Sequence, residues 1–184
     1  MRRSLMFASG FVILAILAIA PAQQPQVEKL APFYPTPESV VKQWLELGGL
    51  KAGEWHYDLG SGDGRVVIMA AQKFGAHSVG FEIDDELYTK SMGRIKELGL
   101  EKLATIKKQD LMTADFSKPD LITVYLLPSS NDKIQPFLEK TMKKGSRVVS
   151  HDFEFRGWTA AKVLNVEDNE EGDGRSHTLY LYNR

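Results

Sequence analysis

The chain has 184 residues, with 23 basic and 24 acidic side chains, a net charge of −1 and no cysteine. That balance offers no basic field to a nucleic-acid partner, and the missing thiols exclude disulfides, thiolate zinc sites and cysteine nucleophiles. About 160 residues beyond the apolar N-terminal stretch are enough for one core and too few for two.

Met1-Arg2-Arg3 precedes an almost wholly apolar run from Leu5 to Ala20, which leads into Ala20-Pro21-Ala22 and then Gln23-Gln24-Pro25-Gln26. A basic start, an apolar segment and small residues before a polar stretch are the parts of a secretory signal, so residues 1–22 are expected to be cleaved after Ala22. A bilayer span needs about 20 residues, and an uncleaved anchor is the alternative. Arg2 and Arg3 stay on the cytoplasmic side in either case, which makes the domain exported or membrane-associated and extracytoplasmic. An anchored domain facing the cytoplasm is the competing topology.

Residues 23–37 bear prolines and little periodicity, and read as an extended arm ahead of a domain spanning residues 38–184. Thr36 is expected as an N-cap and Pro37 as the first residue of a helix that buries Val40, Val41, Trp44, Leu45 and Leu47 and ends at Gly48-Gly49. The rings of Phe33 and Tyr34 and the Thr36 hydroxyl are suited to cover a ligand.

Glu54 to Tyr57 begin a strand that runs into Asp58-Leu59-Gly60-Ser61-Gly62-Asp63-Gly64-Arg65. Glycines at alternate positions take positive φ and carry no Cβ, so a strand-to-helix turn here can bring its backbone against a nucleotide-like molecule. A nicotinamide-binding turn requires glycine where Arg65 stands, and the early third glycine, Gly64, favours S-adenosylmethionine (SAM). A helix from Val66 to Phe74 and a strand from Ser78 to Glu82 complete a β-α-β unit. Glu82 follows Gly60 by 22 residues, near the roughly 20-residue interval at which an acid meets the ribose hydroxyls of an adenosine cofactor.

A helix from Asp84 to Leu98 turns Leu87, Ile95 and Leu98 to the core, and a third strand from Ala104 to Asp110 ends in an acid placed to accept from an adenine amino group. Leu121 to Leu127 is a continuously apolar fourth strand. A helix marked by Ile134, Phe137, Leu138 and Met142 precedes a fifth strand, Arg147 to Phe153. Two final strands, Lys162 to Val166 and His177 to Tyr182, flank an acidic loop and close an antiparallel hairpin at the sheet edge. The expected fold is an α/β three-layer sandwich, a Rossmann-like seven-stranded sheet with its ligand at the carboxyl ends of the strands.

The runs Tyr34-Pro35-Thr36-Pro37-Glu38, Asp58 to Arg65, Gly80-Phe81-Glu82-Ile83, Arg147 to Phe153 and Gly157-Trp158 resemble the class I SAM-dependent protein lysine methyltransferases of archaea and their mitochondrial relatives, which act on the ADP/ATP carrier and the c-ring protein of ATP synthase. The resemblance spans about Phe33 to Tyr182 and implies SAM around Asp58, Gly60, Gly62 and Gly64, with Glu82 on the ribose, Asp110 near adenine and Thr36 in the covering arm. It also implies a protein lysine, on a membrane-associated partner in one version, as the methyl acceptor. Adenine-amino methylases carry Asn or Asp before two prolines after the fourth strand; this chain has Tyr125-Leu126-Leu127-Pro128, and base methylation loses support. Tyr125, His151 and Asp152 are the candidates for the lysine channel. The alternatives are a small-molecule methyltransferase and a non-catalytic module for an adenosine ligand. No H-E-x-x-H, calcium-spaced carboxylate cluster or G-x-S-x-G turn is present, so no metal is expected.

Overall fold

The computed structural model describes residues 29–168 and 174–184. The expected leader, residues 1–22, and residues 169–173 of the acidic loop lie outside the described residues. Helices α1 (Glu38–Leu47), α2 (Arg65–Phe74), α3 (Asp85–Glu97) and α4 (Pro128–Thr141) alternate with strands β1 (Trp55–Leu59), β2 (His77–Glu82), β3 (Ala104–Lys108), β4 (Leu121–Val124) and β5 (Arg147–His151). Strands β6 (Lys162–Glu167) and β7 (Ser176–Asn183) follow without a helix between them.

The seven strands form one sheet in the order β3-β2-β1-β4-β5-β7-β6. The first five are parallel, while β7 runs antiparallel to both β5 and β6. The chain winds outward from β1 to β3 and then resumes on its other side with β4. The order therefore reverses between β1 and β4, and parallel α/β sheets open a ligand crevice at the carboxyl ends of such a pair.

Apolar side chains at helical spacing seat α1: Val40, Val41, Trp44 and Leu45 are all buried, and the Trp44 indole N–H donates to the Val149 carbonyl at 2.9 Å. Full burial of each such aliphatic side chain is worth about 1.5–3 kcal/mol. The cap differs from expectation. Pro37 is the N-cap, no side chain caps the helix, and the Thr36 hydroxyl is engaged by His151 instead. Glycines in the left-handed conformation bound α2, Gly64 at φ 78° and Gly75 at φ 68°. Asp84 caps α3 by accepting from the Glu86 and Leu87 amides.

Several strands stop earlier than their apolar runs. β3 ends at Lys108, opposite the last residue of β2, and β4 at Val124, opposite the last residue of β1, while β5 ends at His151, one residue past the end of β4. Asp110, Tyr125 and Phe153 thereby leave the ladder and enter the crevice. Leu98 and Phe137, expected on core-facing sides of their helices, are exposed.

Candidate active site

The turn after β1 is built as its glycines demand. Gly60, Gly62 and Gly64 have φ of 81°, 53° and 78°, values that side chains with a Cβ rarely adopt. The Gly60 and Ser61 amides both donate to the Phe81 carbonyl, at 3.1 and 2.9 Å, tying the turn to β2. Glu82 completes the tie: its carboxylate accepts from the amides of Gly62 at 2.8 Å, Ile83 at 2.8 Å and Asp84 at 2.9 Å. A carboxylate has about four acceptor positions, so one remains on Oε2. The expectation that this acid takes two ribose hydroxyls at once missed its prior engagement as a clamp on the turn.

A cavity of about 390 Å³ opens over the turn. Thr36, Asp58, Gly60, Gly62, Glu82 and Asp110 all border it. Gly64 does not: a Cβ there would stand 2.9 Å from Cβ of Ser91, so this glycine serves the contact between α2 and α3. The Asp110 carboxylate caps a 3-10 turn, Leu111–Thr113, by accepting from the Met112 amide. Leu87, Leu111 and Leu126 supply apolar wall, and the Ser61 hydroxyl is buried without a hydrogen-bond partner.

The arm lies across this cavity. Lys29 pairs with Asp84 at 2.7 Å, Ser130 donates to the Leu30 carbonyl, and Arg65 donates to the Thr36 carbonyl at 2.9 Å. These anchors hold Phe33 so close over Gly62 that a Cβ on the glycine would come within 2.6 Å of its ring. Phe33 and Tyr34 remain about half exposed at the mouth.

Asp58, at the end of β1, is fully buried and accepts from the Thr123 hydroxyl at 2.6 Å. Burial pushes its carboxyl up to about 7, against the pull of the Thr123 bond, and the nearby Glu82 and Asp63 carboxylates add to the rise.

A second polar group forms the wall beyond β4. The Tyr125 hydroxyl donates to Asp152 Oδ2 at 3.1 Å, and Arg175 lies 3.4 Å from that hydroxyl and 3.8 Å from the same carboxylate oxygen. Burial and the Asp152 carboxylate raise the Tyr125 phenol, so it keeps its proton. Tyr125 and Arg175 border the cavity; His151 and Asp152 stand behind Tyr125, with the His151 ring 3.9 Å from the phenol ring. His151 Nδ1 meets the Thr36 hydroxyl at 3.2 Å and Nε2 meets His177 Nδ1 at 2.9 Å. Burial lowers His151 to about 3 despite Asp152, and the ring is neutral at physiological pH. His151, Asp152 and His177 bring one possible ligand atom each within 4.8 Å of one another, but the two imidazoles spend those nitrogens on their mutual hydrogen bond. Asp152 is the one non-glycine residue with positive φ among the described residues, at 58°, and its Oδ1 accepts from the Thr178 amide. Sequence reading missed His177 and Arg175. The alternation at the start of β7, with His177 and Leu179 buried, was the available signal for the first; the second follows the acidic loop and carries none.

The sequence signature of the ANTKMT methyltransferase domain matches residues 58–162. A protein-lysine N-methyltransferase of Saccharolobus islandicus (strain REY15A) is 41% identical over 152 residues, which are 82% of this chain and 92% of that protein. The lysine N-methyltransferase of Homo sapiens that is named for the c-ring protein of ATP synthase is 30% identical over 156 residues, 84% of this chain and 66% of that protein. Among solved structures, an RNA methyltransferase from Salinibacter ruber in complex with S-adenosyl-L-homocysteine superposes with a TM-score of 0.74 at 41% identity, covering 82% of this chain and 93% of that one.

Proposed function

The chain belongs to the ANTKMT methyltransferase domain family, and from that premise we propose that it transfers methyl from SAM to the side-chain amine of a protein lysine. The cavity fits the cofactor. Asp58, Gly60, Ser61 and Gly62 of the turn border its space of about 390 Å³, and Asp58 and Glu82 supply negative charge to a ligand with a cationic end. In this reading Glu82 offers its remaining lone pair to the ribose, and Asp110 and Thr36 border the adenine and methionyl ends. When bound, SAM would supply a methyl group to an uncharged amine, the N–C bond forming as the C–S bond breaks, with S-adenosylhomocysteine as the neutral leaving group and the positive charge passing to the methylated nitrogen.

A lysine amine is protonated at neutral pH, with an unperturbed pKa of about 10.4. Entry into a cleft walled by Phe33, Leu126 and Leu127 strips water from the ammonium and lowers that value. The observation that carries the acceptor assignment is the Tyr125 hydroxyl: its hydrogen is committed to Asp152 and one oxygen lone pair takes an N–H of Arg175 at 3.4 Å, which leaves the second lone pair to accept an N–H of the entering amine. Holding one N–H aims the nitrogen lone pair, which is where most of the gain in such a displacement arises. His151, neutral and packed on the phenol ring, keeps Tyr125 in place.

Tyr125→Phe is expected to lower kcat on the order of 10–100-fold, equivalent to one hydrogen bond to a charged or reacting group, and to leave SAM affinity unchanged. Steady-state kinetics with calorimetry on the same preparation checks both halves; a wild-type kcat would remove Tyr125 from the acceptor channel. The class of acceptor is read by incubating the protein with methyl-labelled SAM and host extract. Label recovered as methyl-lysine after hydrolysis supports the proposal. Label in nuclease-sensitive material would favour an RNA acceptor, the activity given for the Salinibacter relative, although the balanced charge and the Tyr125-Leu126-Leu127-Pro128 segment argue against it. Label in the small-molecule fraction would overturn the lysine reading as well.

The same proposal includes an acceptor at a membrane, supported by the apolar run from Leu5 to Ala20 ahead of the cleft, and an extracytoplasmic location. SAM is made in the cytoplasm, so an exported enzyme needs a supply. N-terminal sequencing of protein from the native host is expected to start at Gln23, with Ala22→Arg blocking processing. Retained Met1 in the membrane fraction identifies an anchor, and protease protection of residues 23–184 in intact, outer-permeabilised cells overturns export.

A further inference from the structure

We propose that His56 and Thr123 are positioning residues for the cofactor: a buried, one-directional chain of hydrogen bonds from Ser78 through His56 and Thr123 holds Asp58 as the counter-charge for the cationic methionyl end of SAM. The chain crosses three strands. His56 Nδ1 meets the Ser78 hydroxyl at 2.7 Å, His56 Nε2 meets the Thr123 hydroxyl at 2.9 Å, and Thr123 donates to Asp58 Oδ1 at 2.6 Å. His56, Ser78 and Thr123 are essentially inaccessible to solvent, and Asp58 borders the cavity. Parallel register creates the alignment, since His56 pairs with Ser78 and Asp58 with Thr123.

An ionised carboxylate only accepts, so the Thr123 hydrogen must point at Asp58. Its oxygen then accepts from His56, which fixes the proton on Nε2 and leaves Nδ1 to accept from Ser78. Every donor in the row faces the cavity. His56 cannot serve by charge, because burial lowers it to about 3 and it stays neutral. Should Asp58 take a proton, it can donate to Thr123, and the row can reverse with the His56 proton moving to Nδ1. Such a row has two states, and a cation in the cavity selects the ionised one.

The other charges facing Asp58 oppose ionisation or are occupied. Glu82 from β2 and Asp63 from the turn are both negative. Arg65 of α2 is committed to Asp63 at 2.8 Å and to the Thr36 carbonyl, and Tyr125 beyond β4 is protonated. Without cofactor, Asp58 titrates near 7. A ligand that requires the carboxylate therefore binds with release of one proton below that pH, and its affinity rises with pH up to about 7 and then levels off.

Calorimetry of SAM binding from pH 5.5 to 8.5 tests this, with 5′-methylthioadenosine, which lacks the charged methionyl end, as the comparison probe. SAM affinity is expected to climb up to about tenfold per pH unit at the acid end and to level off near neutrality, while 5′-methylthioadenosine binds nearly independently of pH. Thr123→Val removes the donor and should move the SAM midpoint up by about one to two pH units, whereas Thr123→Ser should restore it. A flat SAM profile, an equal profile for both ligands, or a Thr123→Val profile matching wild type would overturn the proposal. If Thr123→Val does not fold, nitrogen NMR of the wild-type histidines decides alone: with SAM bound, His56 is expected protonated on Nε2 and bare on Nδ1, and the opposite tautomer overturns the chain. The lysine acceptor enters none of these readouts, so failure here and failure of the acceptor assignment are distinguishable.

Discussion

Glu82→Ala is expected to weaken SAM binding by roughly 1.5–3 kcal/mol, about 10- to 150-fold, and to lower the melting temperature by several degrees. Two losses combine. Removal of the carboxylate takes away whatever contact it makes with the ribose, and it also strips the amides of Gly62, Ile83 and Asp84 of their acceptor. An amide left unsatisfied costs about 1–3 kcal/mol if water cannot reach it, and the Gly62 amide lies inside the covered turn. Glu82→Gln separates the two. Its single carbonyl oxygen can still serve Ile83 and Asp84, but the new NH2 group faces the Gly62 N–H, so an intermediate loss is expected. Calorimetry and thermal melting on both variants give the answer: parental SAM affinity in each would remove Glu82 from the ribose, and parental melting temperatures would show that its bonds to the three amides add no stability.

Gly62→Val is expected to abolish measurable SAM binding, a loss of more than about 100-fold, in a protein that still folds. At φ 53° a residue with a Cβ is strained by roughly 1–2 kcal/mol, more when β-branched. The Cβ would also stand 2.6 Å from a Phe33 ring carbon, so the ring must leave and the arm must open with it. The collision is with the chain's own cover as well as with the ligand, and it lies at the cavity rather than in the core, which is why folding should survive. Phe33→Ala placed beside Gly62→Ala relieves the ring contact but not the backbone strain. Partial recovery of SAM binding in the double variant relative to Gly62→Ala would assign the loss to the cover. Micromolar SAM affinity in folded Gly62→Val would mean that the turn is no more than a turn.

Much of this architecture was present in local pattern. The spacing of Gly60, Gly62 and Gly64 favours a left-handed turn because glycine takes such φ values at lower cost than any residue with a Cβ. Apolar periodicity located the helices and strands, and the absence of a helix between β6 and β7 marked the closing hairpin. Tyr125 was named for the channel through the family resemblance, while the apolar run had placed it within the fourth strand, which ends at Val124. What lay beyond reach were partners remote in the chain. The Thr36 hydroxyl looked like a helix cap because local capping chemistry was the only chemistry visible, yet it meets His151, 115 residues away. Glu82 was read for a ligand, while its first duty is to a turn 20 residues earlier. Gly64 shared its neighbours' spacing but faces Ser91. His56, Ser78, Thr123 and Asp58 are ordinary in isolation and become one row only when three parallel strands come into register. Arg175 and His177 join Tyr125 and Asp152 because β7 inserts beside β5. Periodicity reports which face of an element is buried and torsional preference reports where the chain turns, so sequence alone determined the elements and the glycine turn. Which buried polar group meets which is decided by strand order and register, quantities that exist only once the sheet has formed.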